Sequence, residues 1–197
     1  MQSLTAPTRD PAPMLEQALR QWGGLSDLWV FGYASLIWRP DFDFIERREA
    51  HVHGWHRALK MWSHLNRGSP ECPGLVFGMF SGGSCRGMVF RVAQSQAREV
   101  MTHLWEREMR GADYDPRWLA CNTAQGPVKA LAFTLSRSSP HHTGDLSAQE
   151  YQRIFLQARG RYGTTHDYAH ATYTGLRDVG IHDTALARLL QLSRPPA

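Results

Sequence analysis

The chain has 197 residues, 42% hydrophobic and 20% charged, with 22 Lys and Arg against 18 Asp and Glu for a formal charge of +4. A chain of this length can bury roughly 70% of its unfolded surface in one core. Its composition excludes a disordered chain, a collagen, a coiled coil, a solenoid and a disulfide-stapled mini-protein.

Residues 1–24 read as an N-terminal arm and a short helix, and residues 25–197 as a single domain. The arm, residues 1–13, carries Pro7, Pro11 and Pro13 and no apolar run, so it reads as flexible chain rather than a secretory leader. The helix spans residues 14–22 and stops at Gly23-Gly24. Residues 28–32 form an apolar, aromatic strand, followed by a loop containing Pro40. Residues 45–62 suit one long strand, or two strands bent at Gly54 as at a barrel corner. After a polar turn region at 66–73, residues 74–80 and 84–92 read as a hairpin joined around Ser81-Gly82-Gly83.

A helix is expected over 94–109, then a strand pair, 117–123 and 128–136, turning at Gln125-Gly126-Pro127. Ser147, with Glu150 three residues on, opens a helix ending at Gly160. Helical segments follow at about 164–179 and 183–192. Strands dominate the middle and helices the end, without strand-helix-strand alternation. The reading is an α+β domain with an antiparallel, barrel-like sheet and helices around it.

The longest uncharged apolar-rich stretch, residues 28–38, is far short of the ~20 residues a membrane helix needs. The basic residues are scattered and match no nucleic-acid-binding motif. Cys72, Cys85 and Cys121 are three widely spaced cysteines, which indicates free thiols in a reducing cytoplasm.

The helix over 94–109 holds the most informative pattern. Ala97, Val100, Met101, Leu104 and Trp105 form one apolar stripe, and the next position on that stripe is Glu108. Glu106 belongs to the opposite, solvated face. A carboxylate turned toward the core loses hydration, and its pKa rises toward the range of a general base. The other reading is a helix-end glutamate paired with an arginine or reaching solvent.

The strand at 28–32 runs into Tyr33, Ala34, Ser35 and Leu36. Successive N–H groups there form either an anion-holding nest or an ordinary strand-end turn. Glycines flanking Ser35 at two residues are missing, so this is no nucleophile elbow. His51/His53 and His166/His170 are spaced as ligand pairs, but neither has a His-Glu-x-x-His or Cys-x-x-Cys companion. No metal or cofactor is expected.

Several short motifs occur in one order along the chain: Gly32-Tyr33-Ala34-Ser35-Leu36, Gly54-Trp55-His56-Arg57, Arg67-Gly68, Pro73-Gly74-Leu75, and Gly82-Gly83-Ser84-Cys85 with Gly87. Further on stand Leu104-Trp105, Arg107-Glu108-Met109, Tyr114, Asp167-Tyr168 and Asp183. Together, over residues 28–192, these resemble the ChaC family of glutathione-specific γ-glutamylcyclotransferases. The resemblance implies a small antiparallel or mixed β-barrel flanked by helices. It also implies cofactor-free cleavage of glutathione into 5-oxoproline and cysteinylglycine.

By the same resemblance the catalytic glutamate is Glu108. Tyr33, Ala34, Ser35, Leu36, Arg67 and Tyr114 bind substrate. Two residues depart from the family pattern. Ala34 replaces a glycine; if the position needs φ > 0, its Cβ costs of order 1 kcal/mol and reshapes the loop. His142 replaces a tyrosine that helps close over substrate. The alternatives are a cyclotransferase for other γ-glutamyl amines and a non-catalytic ligand-binding homologue.

Overall fold

In the computed structural model, which describes residues 9–193, the apolar run at 28–32 forms β1 (Leu28–Gly32). Four more strands close it into a barrel: β2 (Glu46–Ser63), β3 (Gly74–Val92), β4 (Asp115–Thr123) and β5 (Gly126–Thr134). The order is β1-β3-β2-β4-β5. Every neighbouring pair is antiparallel except the closing one, where Val30 of β1 lies opposite Leu131 of β5 in a parallel pairing. The barrel is therefore mixed rather than purely antiparallel.

The hairpin expected at residues 81–83 does not form. Residues 74–92 are one continuous strand, and both halves pair with β2. The glycines bend the strand instead of reversing it. Gly82 and Gly83 have φ of +94° and +70°, and Gly54 on β2 has +79°. Across this bend His53 faces Ser84 and Trp55 faces Ser81, so β3 carries one residue more than β2. That is a β-bulge, and it turns both strands around the barrel corner.

Six helices flank the barrel among the described residues. α1 (Pro11–Trp22) starts three residues before the expected position. Asp10 caps it by accepting from the Ala12 amide, and Pro11 supplies a preset φ at its first position. The last part of the expected arm is thus helix, and the arm's residues 1–8 lie outside the described residues. α2 (Ser35–Trp38) is a single turn inside the region read as loop.

α3 (Gln94–Glu108) buries the expected stripe, Ala97, Val100, Met101, Leu104 and Trp105. α4 (Ala148–Gln157) begins with the Ser147–Glu150 capping box and stops before Gly160, where β6 (Arg159–Gly160) and β7 (Gly163–Thr164) pair. α5 (Thr165–Asp178) and α6 (Thr184–Gln191) follow.

The core has two parts. α1 and α3 bury Leu19, Met101, Leu104 and Trp105 against Val30 and Leu131 of the barrel. The C-terminal helices bury Ile154, Phe155, Leu176 and Leu186 against Val52, Leu75 and Phe77. Both helical layers meet the barrel where β1 ends, and there the candidate site is assembled.

Candidate active site

Glu108 is the last residue of α3, and its side chain is 18% exposed. Burial raises the pKa of its carboxyl above the ordinary value; the neighbouring Arg107 opposes this with its charge and a hydrogen bond. Arg107 Nε lies 3.0 Å from Glu108 Oε1. Both readings of Glu108 therefore hold at once, since it is a desolvated carboxylate and has an arginine partner. Glu106 is exposed, as the helix pattern requires.

Three phenols share this carboxylate's surroundings. Burial, reinforced by the Glu108 charge, holds Tyr33 and Tyr114 well above the ordinary phenol pKa. Tyr168 of α5 is raised by burial and again by Glu108. All three are neutral at physiological pH and can donate or accept hydrogen bonds. Tyr33 Oη donates to the Phe133 carbonyl at 2.9 Å, and Tyr114 Oη donates to the Phe77 carbonyl at 3.4 Å. The Phe77 amide donates to Tyr168 Oη at 3.4 Å.

Tyr33 follows β1, Tyr114 precedes β4, and Tyr168 arrives from α5. Tyr168 appeared in the sequence only as a motif position. Its available signal was its place on the buried face of α5, four residues before the buried Thr172.

The turn after β1 is held from the side of α3. Arg107 donates to Ser35 Oγ at 3.0 Å, to the Arg39 carbonyl at 2.7 Å and to the Pro40 carbonyl at 3.2 Å. Ala34 and Leu36 are buried. Ala34 has φ of −141°, outside the left-handed region, so its Cβ brings no αL penalty. The expected cost of alanine at this position is absent. Ala34→Gly is accordingly expected to fold and to keep activity within a few-fold of wild type in a steady-state assay.

Arg67 reaches the same cluster through Tyr168. Its guanidinium lies 5.0 Å from the centre of the Tyr168 ring, and Arg67 Nη1 donates to the Tyr162 carbonyl. Burial lowers its pKa from the ordinary arginine value. Its backbone is fixed by close approach of main chains, which explains the glycines around it. A Cβ on Gly74 would stand 2.0 Å from the Arg67 carbonyl oxygen, and one on Gly68 would stand 2.0 Å from the Gly74 nitrogen. Gly74→Ala is expected to destabilise the protein by about 3 kcal/mol and lower Tm by roughly 10 °C, which thermal unfolding will measure.

His142 is not brought to this cluster. Its ring lies tilted against Phe80, with centroids 4.9 Å apart, and its backbone bridges to Met61. The His51/His53 rings lie 4.2 Å apart and those of His166/His170 6.1 Å apart. Among the described residues no three His, Cys, Asp or Glu side chains gather around a common centre. A groove of about 550 Å³ runs along the polar flank of α3, lined by Asp41, Asp43, Glu99 and His103 among others; Glu108 is not in its wall.

A closed mixed barrel flanked by helices is the fold this chain shares with solved γ-glutamylcyclotransferases. The crystal structure of a yeast γ-glutamylcyclotransferase specific to glutathione superposes with a TM-score of 0.75 over 85% of this chain and 95% of that one, at 19% identity. Residues 28–195 match the family described as ChaC-like protein. The chain belongs to that family. Among its relatives, the glutathione-specific γ-glutamylcyclotransferase of Escherichia coli K12 is 31% identical over 164 residues, covering 83% of this chain and 71% of that protein. The mouse glutathione-specific γ-glutamylcyclotransferase 1 is 30% identical over 172 residues, covering 85% of this chain and 77% of its own.

Proposed function

We propose that this protein cleaves glutathione into 5-oxoproline and cysteinylglycine, with Glu108 as the general acid and base. What supports this is membership of the family together with a largely buried carboxylate, 18% exposed at the end of α3, whose charge acts on the buried phenols of Tyr33, Tyr114 and Tyr168. The substrate carries its own nucleophile. The α-amine of the glutamyl residue attacks the γ-carbonyl carbon, and a five-membered ring forms. The γ-amide bond then breaks, and the cysteinyl nitrogen leaves as an amine.

The protein has to hold the glutamyl chain folded, remove a proton from the α-ammonium and return one to the leaving nitrogen. The glutamyl nitrogen sheds two protons between ammonium and lactam, and the cysteinyl nitrogen gains two between amide and free ammonium. Ionised Glu108 accepts the first and gives it to the leaving nitrogen. The regenerated carboxylate then carries the second from the ring nitrogen to the departed amine, so the reaction balances without a cofactor. A raised pKa suits both steps, because the group exchanges protons close to the working pH. Backbone N–H groups from Tyr33 to Leu36 hold the glutamyl carboxylate or the oxyanion on the γ-carbon. Tyr114, a buried phenol on which the Glu108 charge acts, offers a further hydrogen-bonding group to substrate. Arg67, a half-buried cation, offers a partner for a substrate carboxylate.

No helix among the described residues is long and apolar enough to cross a membrane. Cys72, Cys85 and Cys121 are free thiols, which suits the reducing cytoplasm where glutathione is abundant.

The test is release of 5-oxoproline by the purified protein. Glutathione is expected to be turned over, and γ-glutamylalanine hardly at all. Activity is expected to survive exhaustive chelation. Equal turnover of both compounds would move the assignment to γ-glutamyl amines in general, and no turnover of either would leave a ligand-binding homologue.

A further inference from the structure

Arg57 lies on β2, in the second half of that strand, and its side chain is 6% exposed. A buried guanidinium persists only when its donors are taken up. Arg57 Nε donates to Asp183 Oδ2 at 3.1 Å, and Nη2 donates to the same oxygen. Nη1 donates to the Tyr33 carbonyl at 2.8 Å and to the Arg86 carbonyl at 3.2 Å, and it also faces Cys85 Sγ at 3.7 Å. Asp183 is held on its other side, because Oδ1 accepts from the Leu186 amide at 2.9 Å and caps α6. One side chain thus joins β2, β3, the start of α6 and the turn after β1.

A pair this buried gives no dependable gain in stability over an apolar replacement. What it does give is orientation. Tyr33 is fixed at both ends, with its hydroxyl on the Phe133 carbonyl and its own carbonyl on Arg57. The peptide that follows is planar and trans, so a fixed Tyr33 carbonyl also fixes the direction of the Ala34 N–H. We propose that Arg57 and Asp183 are positioning residues that lock the Tyr33–Ala34 peptide and so aim the amides of the 33–36 turn at the glutamyl end of the substrate. The kinetic side of this inference rests on the glutathione reading above, and its structural side does not.

Two variants test it. Arg57→Lys keeps the charge, but a single ammonium cannot span Asp183, Tyr33 and Arg86 as the planar fork does. Asp183→Asn keeps the cap on α6 and removes only the charge, so it carries the test if the first variant folds poorly. Arg57→Lys is expected to lower kcat/KM for glutathione about ten- to hundred-fold. KM should take the larger share, because amides that grip the glutamyl end hold ground state and transition state alike. Asp183→Asn should move KM in the same direction by less.

The acidic limb of the pH profile should stay in place, since neither residue contacts Glu108. Hydrogen exchange should accelerate at residues 34–37 while α3 and α5 keep their protection. Wild-type kinetics in Arg57→Lys would overturn the proposal, as would a loss confined to kcat with unchanged exchange, the pattern of a smaller folded fraction. If the wild-type protein releases no 5-oxoproline, the glutathione reading fails and the exchange arm decides alone. Acceleration confined to residues 34–37 then supports the lock, and unchanged exchange overturns it.

Discussion

Glu108→Gln is expected to lower turnover of glutathione by at least about 10²-fold, the lower end of what general acid–base catalysis contributes. The substitution keeps the volume and can still hydrogen-bond, but it cannot accept the ammonium proton. Binding of glutathione should persist, because the turn from Tyr33 to Leu36 and Arg67 are untouched. Glu106→Gln, on the exposed face of the same helix, is the control and should stay near wild type. A dead Glu106→Gln beside an active Glu108→Gln would overturn the assignment of the base.

Stability should move the other way. The pKa of Glu108 is higher in the fold than in the unfolded chain, because burial disfavours the charge. Its contribution is therefore complete below the ordinary carboxylate pKa and is lost as pH rises through the higher folded value. At neutral pH the ionised side chain is a burden on the fold, and glutamine removes it. Tm of Glu108→Gln should equal or exceed wild type at pH 7, with the difference narrowing in acid. Thermal unfolding across pH measures this directly, and it shows a site where function is kept at some cost in stability.

Arg107→Met is expected to give the second large loss, about ten- to hundred-fold in kcat/KM at pH 7. Two effects add. Arg107 is the cation that holds the Glu108 pKa down, so removing it leaves burial unopposed and shifts the acidic limb of the pH profile to higher pH. Arg107 also binds Ser35 Oγ and the carbonyls of Arg39 and Pro40, so the substrate turn loses its anchor on the α3 side. Arg107→Lys separates the two effects: it should keep the limb nearer its wild-type position while losing the fork that spans the turn. A limb unmoved in Arg107→Met would confine Arg107 to anchoring the turn.

The sequence by itself determined which side of each element faces inward. The stripe from Ala97 to Trp105 recurs at the helical period, and that period alone places Glu108 on the buried side and Glu106 in water. The Ser147–Glu150 capping box and the strand at Leu28–Gly32 were legible for the same reason, since each depends on residues a few positions apart. The ordered motifs added the family, because their spacing spans most of the chain.

Tertiary structure alone decided what each inward face meets. Gly82-Gly83 suits a hairpin turn and a bulge equally, and the pairing of both halves of β3 with β2 chose the bulge. The parallel closure of β1 on β5 joins segments about a hundred residues apart, which no local pattern encodes. Tyr168 and the Arg57–Asp183 lock reach the turn after β1 from distant elements for the same reason. A local period fixes the direction of a side chain, whereas its partner is fixed by how the barrel closes and where the C-terminal helices pack against it.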